Sequence, residues 1–385
     1  MKILILSSST GGGHNMRARS LTEWAQRDGG IETSTHQALE STHGLYRFGV
    51  ETYNWIQRHA PWLHHLYFNY LEVAGMFKSA SRIMGKEKFI QHLQTLRPDI
   101  IVSVHGSTNH GFFDLAREAL PGIPCVTYCG ELFSGYGFSK HWANPQADLF
   151  IGAVSECCEA ATACGVSPEK EWTGGFLLDP HFYSAPMSDA EKDSYRMQQL
   201  GFDPHRFTLL LGTGAVGANN HLSLLQKLSS AKVYPQVIAL CGKNEQTLSE
   251  LEAWSKNHPQ IPLKAFAYTR EIPKLMQISE AIVARPGTGT TCEAIQSGGP
   301  IIHNGIGGIM PQEWITVKYT RKHQISETIH FAGGLPPIVD RWMKNPEVIT
   351  EMKKRLQAIR PPNTPAVILE RLKALASRKA ATAQS

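Results

Sequence analysis

Two short stretches carry residues whose types and spacing can do chemistry. The first is Gly11-Gly12-Gly13-His14, which follows the apolar run Lys2–Leu6. An apolar run ending in small residues reads as a buried parallel strand entering a loop, and a helix is predicted from about Asn15 to Arg27. An imidazole at that strand exit is a candidate general base, because its reference pKa of about 6.5 lies near working pH. The plainer alternative is a helix-terminus histidine with a structural hydrogen bond. The second stretch is Ala281–Glu293, AIVARPGTGTTCE. Ala281–Ala284 reads as a buried strand, broken by Arg285-Pro286 because proline lacks the ladder N–H. Gly287-Thr288-Gly289 lets the backbone approach a ligand, and Thr290–Ser297 reads as a helix ended by Gly298-Gly299. A small-residue loop opening a helix points N–H groups and partial positive charge outward, which favours phosphate. Glu293, one turn in, is placed to accept hydrogen bonds from a ribose diol; the alternative is an ordinary strand–turn–helix with a surface Glu.

Other polar residues fall at predicted strand exits. Ile100–Val104 leads into His105-Gly106-Ser107-Thr108-Asn109-His110, where the two histidines read as a polar cleft wall, since no third metal ligand accompanies them. Glu131 follows the strand Ile123–Thr127 and is a second candidate base or an acceptor-hydroxyl ligand. Gly212-x-Gly214-x-x-Gly217 has the dinucleotide spacing, but the next strand ends Cys241-Gly242-Lys243 without the acid that holds an NAD ribose. No GxxxxGK[ST] occurs, which excludes a P-loop nucleotidase. Phosphate contact from the Gly212 and Gly287 loops then fits a nucleoside diphosphate, with Glu293 on its ribose.

The elements that must position these residues form two similar α/β halves, each opening strand–glycine loop–helix. Boundaries are expected at 1–180 for a first domain, 181–205 for a linker rich in Gly, Pro and charge, and 206–340 for a second domain. Helices and a frayed tail are expected over 341–385, packing back across the domains. At 385 residues the chain exceeds a single core, and 42% hydrophobic with 18% charged residues is globular. A formal charge of +5 favours anionic partners such as phosphates or an acidic membrane face, and falls short of a nucleic-acid footprint. Seven cysteines without a CxxC pair indicate neither a zinc site nor a disulfide framework, and reduced cytosolic thiols are the default. The N-terminal apolar run is too short for a signal peptide, and no segment is long and apolar enough to span a bilayer. Between Gly44 and Phe89, aromatics such as Trp55 and Trp62 interleave with Arg47, Arg58, Lys78 and Arg82. That composition suits a headgroup–acyl boundary; core-facing helices with solvated charges are the competing account.

The motifs GGGH (Gly11–His14), PDIIVSVHGSTNH, LLGTGAVG (Leu210–Gly217), AYTREIPKLM (Ala267–Met276), RPGTGTTCEA (Arg285–Ala294) and PQE (Pro311–Glu313), in this order, resemble one family. They are similar to GT-B glycosyltransferases of the monogalactosyldiacylglycerol synthase and processive diacylglycerol glucosyltransferase type. More distantly they resemble the peptidoglycan enzyme that adds N-acetylglucosamine to a lipid-linked precursor. The resemblance implies two doubly wound Rossmann-like α/β domains facing a cleft. It implies a cytoplasmic enzyme, peripheral on the inner face of the plasma membrane, that moves a hexosyl group from a UDP-sugar to a lipid in glycolipid biosynthesis. The donor site would take Tyr268 and Ile272 for uracil, Gly214, Gly287, Thr288 and Gly289 for the diphosphate, Glu293 for the ribose, and Gln312 and Glu313 for the sugar hydroxyls. Gly13, Gly212, Thr213 and Arg285 would complete it. The first domain would hold the acceptor, with His14 as catalytic base; the residues themselves add Glu131 as the second catalytic candidate and His105, His110, Trp55 and Trp62 as candidates for the acceptor site. The implied partners are a UDP-sugar, a lipid acceptor and an anionic membrane surface, without nucleic acid, cofactor or metal. Two segments depart from the family pattern: Cys129-Gly130-Glu131-Leu132 replaces an Asp-containing loop, and Gly305–Met310 is less bulky and polar. The alternatives are a UDP-sugar epimerase or hydrolase of the same fold, and a non-catalytic lipid- or nucleotide-binding protein.

Overall fold

Runs of buried aliphatic residues set the strands. In a computed structural model that describes residues 1–74, 77–212 and 220–384, the first sheet comprises β1 (Lys2–Ser7), β2 (Glu32–Gln37), β3 (Ile100–Ser103), β4 (Cys125–Cys129), β5 (Leu149–Gly152) and β6 (Glu171–Thr173). All its pairings are parallel, in the order β2-β1-β3-β4-β5-β6. The second sheet comprises β7 (Thr208–Leu211), β8 (Gln236–Gly242), β9 (Leu263–Ala267), β10 (Ala281–Ala284), β11 (Ile301–Asn304) and β12 (Ser326–Ile329). It too is parallel, in the order β12-β11-β10-β7-β8-β9. The central strands β3, β4, β5, β7 and β10 are buried along their whole length, as strands covered by helices on both faces must be. The two doubly wound α/β sheets expected from the sequence are present.

The chain forms two compact units, Met1–Pro180 with Met310–Ile315 and Pro361–Ser385, and His181–Ile309 with Thr316–Arg360. The first contains helices α1 (Gly13–Asp28), α2 (Ala38–Thr42), α3 (Gly44–His59), α4 (His64–Ala74), α5 (Lys86–Leu96), α6 (Gly111–Ala119) and α7 (Ser155–Ala163). Period-two alternation divides β1 between two cores: Leu4 and Leu6 pack with Phe89, Phe112 and Phe113, while Ile3 and Ile5 pack with Leu21, Val102 and Leu372. The second unit is built on α8 (Asp189–Tyr195), α9 (His221–Ser230), α10 (Glu245–Lys256), α11 (Ile272–Gln277) and α12 (Thr288–Ser297). The later helices of the chain are α13 (Pro311–Lys322), α14 (Leu335–Lys344), α15 (Pro346–Ile359) and α16 (Ala366–Gln384).

Two stretches differ from the sequence expectation. Residues 181–205, expected as a linker, belong to the second unit. Ser188 starts α8 with a reciprocal capping box to Glu191, and Arg196 donates to the Ile278 carbonyl at 2.6 Å and to Glu280 at 2.5 Å. Its charges are internal ties rather than linker solvation. The tail after Ser377, expected to fray, is helical through Gln384, in keeping with its alanine content. The same helix, α16, buries Ile368, Leu369 and Leu372 in the first unit. No helix of the described residues is long and apolar enough to cross a membrane.

Each sheet reverses its winding at one point, between β1 and β3 in the first and between β7 and β10 in the second. Open α/β sheets bind ligands at the carboxyl ends of the strands flanking such a point. The loops that leave β1, β3, β7 and β10 begin at Ser8, Val104, Gly212 and Arg285, and in sequence all four run into the motifs singled out above.

Candidate active site

His14 is the second residue of α1. Its Nδ1 lies 2.8 Å from the carbonyl oxygen of Val104, just past β3. A carbonyl only accepts, so Nδ1 carries the proton and Nε2 keeps its lone pair. His105 packs edge-on against this ring, with centroids 4.4 Å apart. The Nδ1 of His105 accepts from the Ser107 N–H at 3.2 Å, which leaves its Nε2–H to be donated to Thr10 Oγ1 at 2.8 Å. Enclosure by protein, followed by the proximity of His105 and Arg17, holds the His14 pKa well below the usual histidine value. Burial, with Arg17 and His141 adding to it, lowers His105 to about 4. Both rings are therefore neutral at neutral pH, and His14 is in the protonation state a general base needs.

Glu131 stands two residues beyond β4. It is 7% exposed, and its Oε2 has no hydrogen-bond partner among the described residues. Burial raises its pKa to about 7, against the opposing pull of Arg17. Arg17 follows His14 by three residues on α1, is buried, and donates from Nη2 to the Gly130 carbonyl at 3.1 Å. A Cβ at Gly130 would stand 2.1 Å from the Arg17 Nε, so only glycine lets the guanidinium lie across this loop. A neutral imidazole and a carboxyl with a raised pKa thus line the same cavity.

That cavity, of about 180 Å³, lies in the first unit. Thr10, His14, His105, Ser107 and Glu131 supply polar atoms, while Leu45, Val50, Phe68, Leu71, Phe77 and Trp142 are among its apolar lining. The chamber can take a largely apolar molecule with a hydroxyl at the imidazole. His110 does not line it: its ring lies 6.3 Å from that of His141, and no group of three metal ligands occurs among the described residues. Trp55 and Trp62 also lie outside the lining, 56% and 63% exposed. On α3, Phe48 and Trp55 are exposed while Tyr46, Val50 and Ile56 are buried, so Trp55 stands on the solvent side of the helix. Arg17 and Tyr53, the latter also lining the chamber, were not picked out as site residues in the sequence reading. The signal for Arg17 was its place one turn after His14; Tyr53 was hidden among aromatics that all look alike in sequence.

In the second unit, α12 starts at Thr288 with Gly287 as N-cap, and no side chain caps that start among the described residues. Gly287, Thr288, Gly289 and Glu293 are all half-buried along its first turns. Gly212 donates its N–H to the Val283 carbonyl at 2.8 Å, pinning the exit of β7 beside that of β10. Thr213 and Gly214 lie outside the described residues. Tyr268 is 63% exposed just past β9, and Ile272 opens α11. Arg285, expected in the donor site, donates to the carbonyls of Ile306 and Gly308 at 3.0 and 2.9 Å, bracing the glycine loop after β11. Gln312 and Glu313 fall in the first unit. There Gln312 Nε2 donates to the Tyr53 hydroxyl at 2.8 Å, and buried Glu313 accepts from the Met310 N–H at 2.9 Å, capping its own helix. Gly13 opens α1 beside His14.

Comparison with known proteins follows the same division. Residues 14–175 match the monogalactosyldiacylglycerol (MGDG) synthase family model, and residues 208–303 match the glycosyltransferase family 28 C-terminal domain. The chloroplastic monogalactosyldiacylglycerol synthase of Spinacia oleracea is 24% identical over 360 residues, covering 89% of this chain and 66% of the spinach protein. This chain therefore spans just under two thirds of that plant relative. The processive diacylglycerol beta-glucosyltransferase of Bacillus pumilus is 21% identical over 390 residues, covering 96% of this chain and 94% of the relative. Among solved structures, MurG of Acinetobacter baumannii superposes with a TM-score of 0.60 at 13% identity, over 97% of this chain and 99% of MurG. The chain has the two-domain GT-B glycosyltransferase fold, with a stretch similar to the monogalactosyldiacylglycerol synthase family in its first domain and one similar to the glycosyltransferase family 28 C-terminal domain in its second.

Proposed function

We propose that this protein is an inverting glycosyltransferase that moves a hexosyl group from a UDP-sugar to the hydroxyl of a diacylglycerol-like or other membrane-associated lipid. The observation that carries the reading is the His14 imidazole, fixed as the Nδ1–H tautomer and set in the wall of a mainly apolar chamber. Nε2 takes the proton as the acceptor oxygen forms its bond to the anomeric carbon. The bond from that carbon to the diphosphate oxygen breaks on the opposite face, so the configuration inverts and UDP leaves. Glu131 holds the acceptor hydroxyl in line; ionised, it also steadies the imidazolium that forms. The helix start at Gly287 offsets the charge of the leaving diphosphate, Glu293 holds the ribose and Tyr268 the uracil, as both are held in the family the sequence resembles.

Membrane association belongs to the same proposal. Leu45, Phe48 and Trp55 on α3, Trp62, and Leu66, Tyr70 and Val73 on α4 are each more than half exposed. The spacing puts one apolar stripe on each helix, and exposed Arg47 and Lys78 add positive charge for an anionic leaflet. The protein would act from the cytoplasmic side, peripheral on the plasma membrane, where its acceptor lipid resides.

The test is incubation with radiolabelled UDP-glucose, UDP-galactose and UDP-N-acetylglucosamine plus total bacterial lipid. Label is expected in the organic phase with one donor. No label in any lipid for any donor would sink the proposal, and donor consumed without acceptor would point to a hydrolase or epimerase instead.

A further inference from the structure

The loop that delivers His14 is held by side chains from outside it. Gly11 has φ +64°, in the left-handed region, so the loop turns sharply just before α1. Glu40 Oε1, on α2, accepts from the Ser9 N–H at 2.6 Å and the Ser8 hydroxyl at 3.2 Å. Asn54, on α3, spans the turn itself. Its Oδ1 accepts from the Gly11 N–H at 2.9 Å, and its Nδ2 donates to the Ser9 carbonyl at 2.9 Å. One carboxamide therefore satisfies two backbone groups two residues apart, and only one orientation of the amide does so. Gln57, one turn later on α3, lies 3.6 Å from where a Cβ of Gly11 would stand.

We propose that Asn54 is a positioning residue for the transfer reaction: its carboxamide fixes the Ser9–Gly11 turn and thereby aims the His14 Nε2 at the acceptor hydroxyl. Asn54 acts through the loop rather than on substrate, as it is absent from the residues lining the chamber. The aim matters because, among the described residues, His14 makes one hydrogen bond of its own, to Val104, which sets its tautomer, so the ring's position follows that of the start of α1. Placement of the Thr10 hydroxyl against His105 depends on the same turn, so the edge-on neighbour of His14 is set by it as well.

The inference rests on the reading of His14 as base, and its test separates the two. Asn54→Ala and Asn54→Asp are assayed for hexose transfer to a short-chain diacylglycerol in mixed micelles. Asn54→Ala is expected to lower kcat about tenfold, the scale on which small misplacements cost rate, with the KM for UDP-sugar unchanged. Asn54→Asp keeps the acceptor for the Gly11 N–H and should recover part of the loss. Nitrogen NMR of the histidines reads the clasp without activity: the His14 Nδ1–H tautomer dominates in the parent protein and mixes with the other in Asn54→Ala. Unchanged kcat with unchanged imidazole signals overturns the proposal, as does a loss confined to melting temperature. A parent protein that transfers no sugar overturns the reaction reading instead, and the imidazole signals then still decide the clasp.

Discussion

The glycine loop after β1 and the one after β10 occupy equivalent places, each at the winding reversal of a six-stranded parallel sheet, yet they are built in opposite ways. The first is tied by Glu40, Asn54 and His105, and one of its glycines has a left-handed backbone. In the second, Gly287 has φ −75°, no side chain caps the helix among the described residues, and a Cβ would meet nothing within 4 Å. A loop that delivers a base must fix direction, because proton transfer fails with a small angular error. A loop that receives a diphosphate must leave room and backbone N–H groups for it. The difference separates a positioning loop from a receiving one, and substitutions can break it.

The largest effect belongs to the group that the first loop delivers. His14→Ala should lower kcat by about 10²–10⁴-fold, the usual worth of a general base, and leave the affinity for UDP unchanged by calorimetry. The pH profile tells His14 from Glu131. The base acts unprotonated, so activity falls as pH drops through its pKa. With His14, whose pKa is held well below the ordinary histidine value, activity persists below pH ~6.5. With Glu131, raised to about 7, half the rate would already be gone near neutrality. An acid limb near 7 that vanishes in Glu131→Gln would reassign the base.

The same substitution in the two loops should then leave opposite signatures. Gly287→Ala fits its backbone and its space, so melting is unchanged, while the added methyl would crowd the diphosphate proposed to bind at this helix start. UDP affinity should weaken about tenfold, or about 1.4 kcal/mol. Gly11→Ala meets only the Gln57 amide at ordinary contact distance, so its cost comes from the left-handed φ of +64°. That costs about 1 kcal/mol, which lowers melting by about 2–4 °C and kcat several-fold, with UDP binding intact. Should Gly11→Ala weaken UDP binding as much as Gly287→Ala does, the two loops would share one role.

This contrast was half legible in the sequence. The buried strands before each loop are continuous aliphatic runs, and Gly-rich segments at their ends mark close backbone approach, so both sites could be located. The short edge strands β6 and β12, Glu-Trp-Thr and Ser-Glu-Thr-Ile, were not legible, because half-solvated edges lose the apolar run that betrays a central strand. Nor were the ties of the first loop. Glu40 and Asn54 lie 31 and 43 residues from their partners, and nothing local in a polar residue on a helix says which backbone it will meet. The carbonyl contacts of Arg285 were hidden for the reverse reason. A cation beside a phosphate-type loop invites assignment to the ligand, whereas its five donors also suit a run of carbonyls such as the Ile306–Gly308 turn.

The smallest effect on the fold is expected where the sequence left two readings open. Trp55 and Trp62 are 56% and 63% exposed, so replacing both by Ser removes little core packing and should move melting by no more than about 1 °C. Their indoles are instead available to an interface, and losing both should weaken flotation with anionic vesicles several-fold. Salt dissects what remains. Attraction of exposed Arg47 and Lys78 to the leaflet is screened as ionic strength rises, whereas the apolar contribution of Leu45, Phe48 and Leu66 is not. Binding by the double variant should therefore be the more salt-sensitive of the two. Loss of several degrees in melting with flotation intact would return both tryptophans to the core and leave the receiving surface of the first domain to be sought elsewhere.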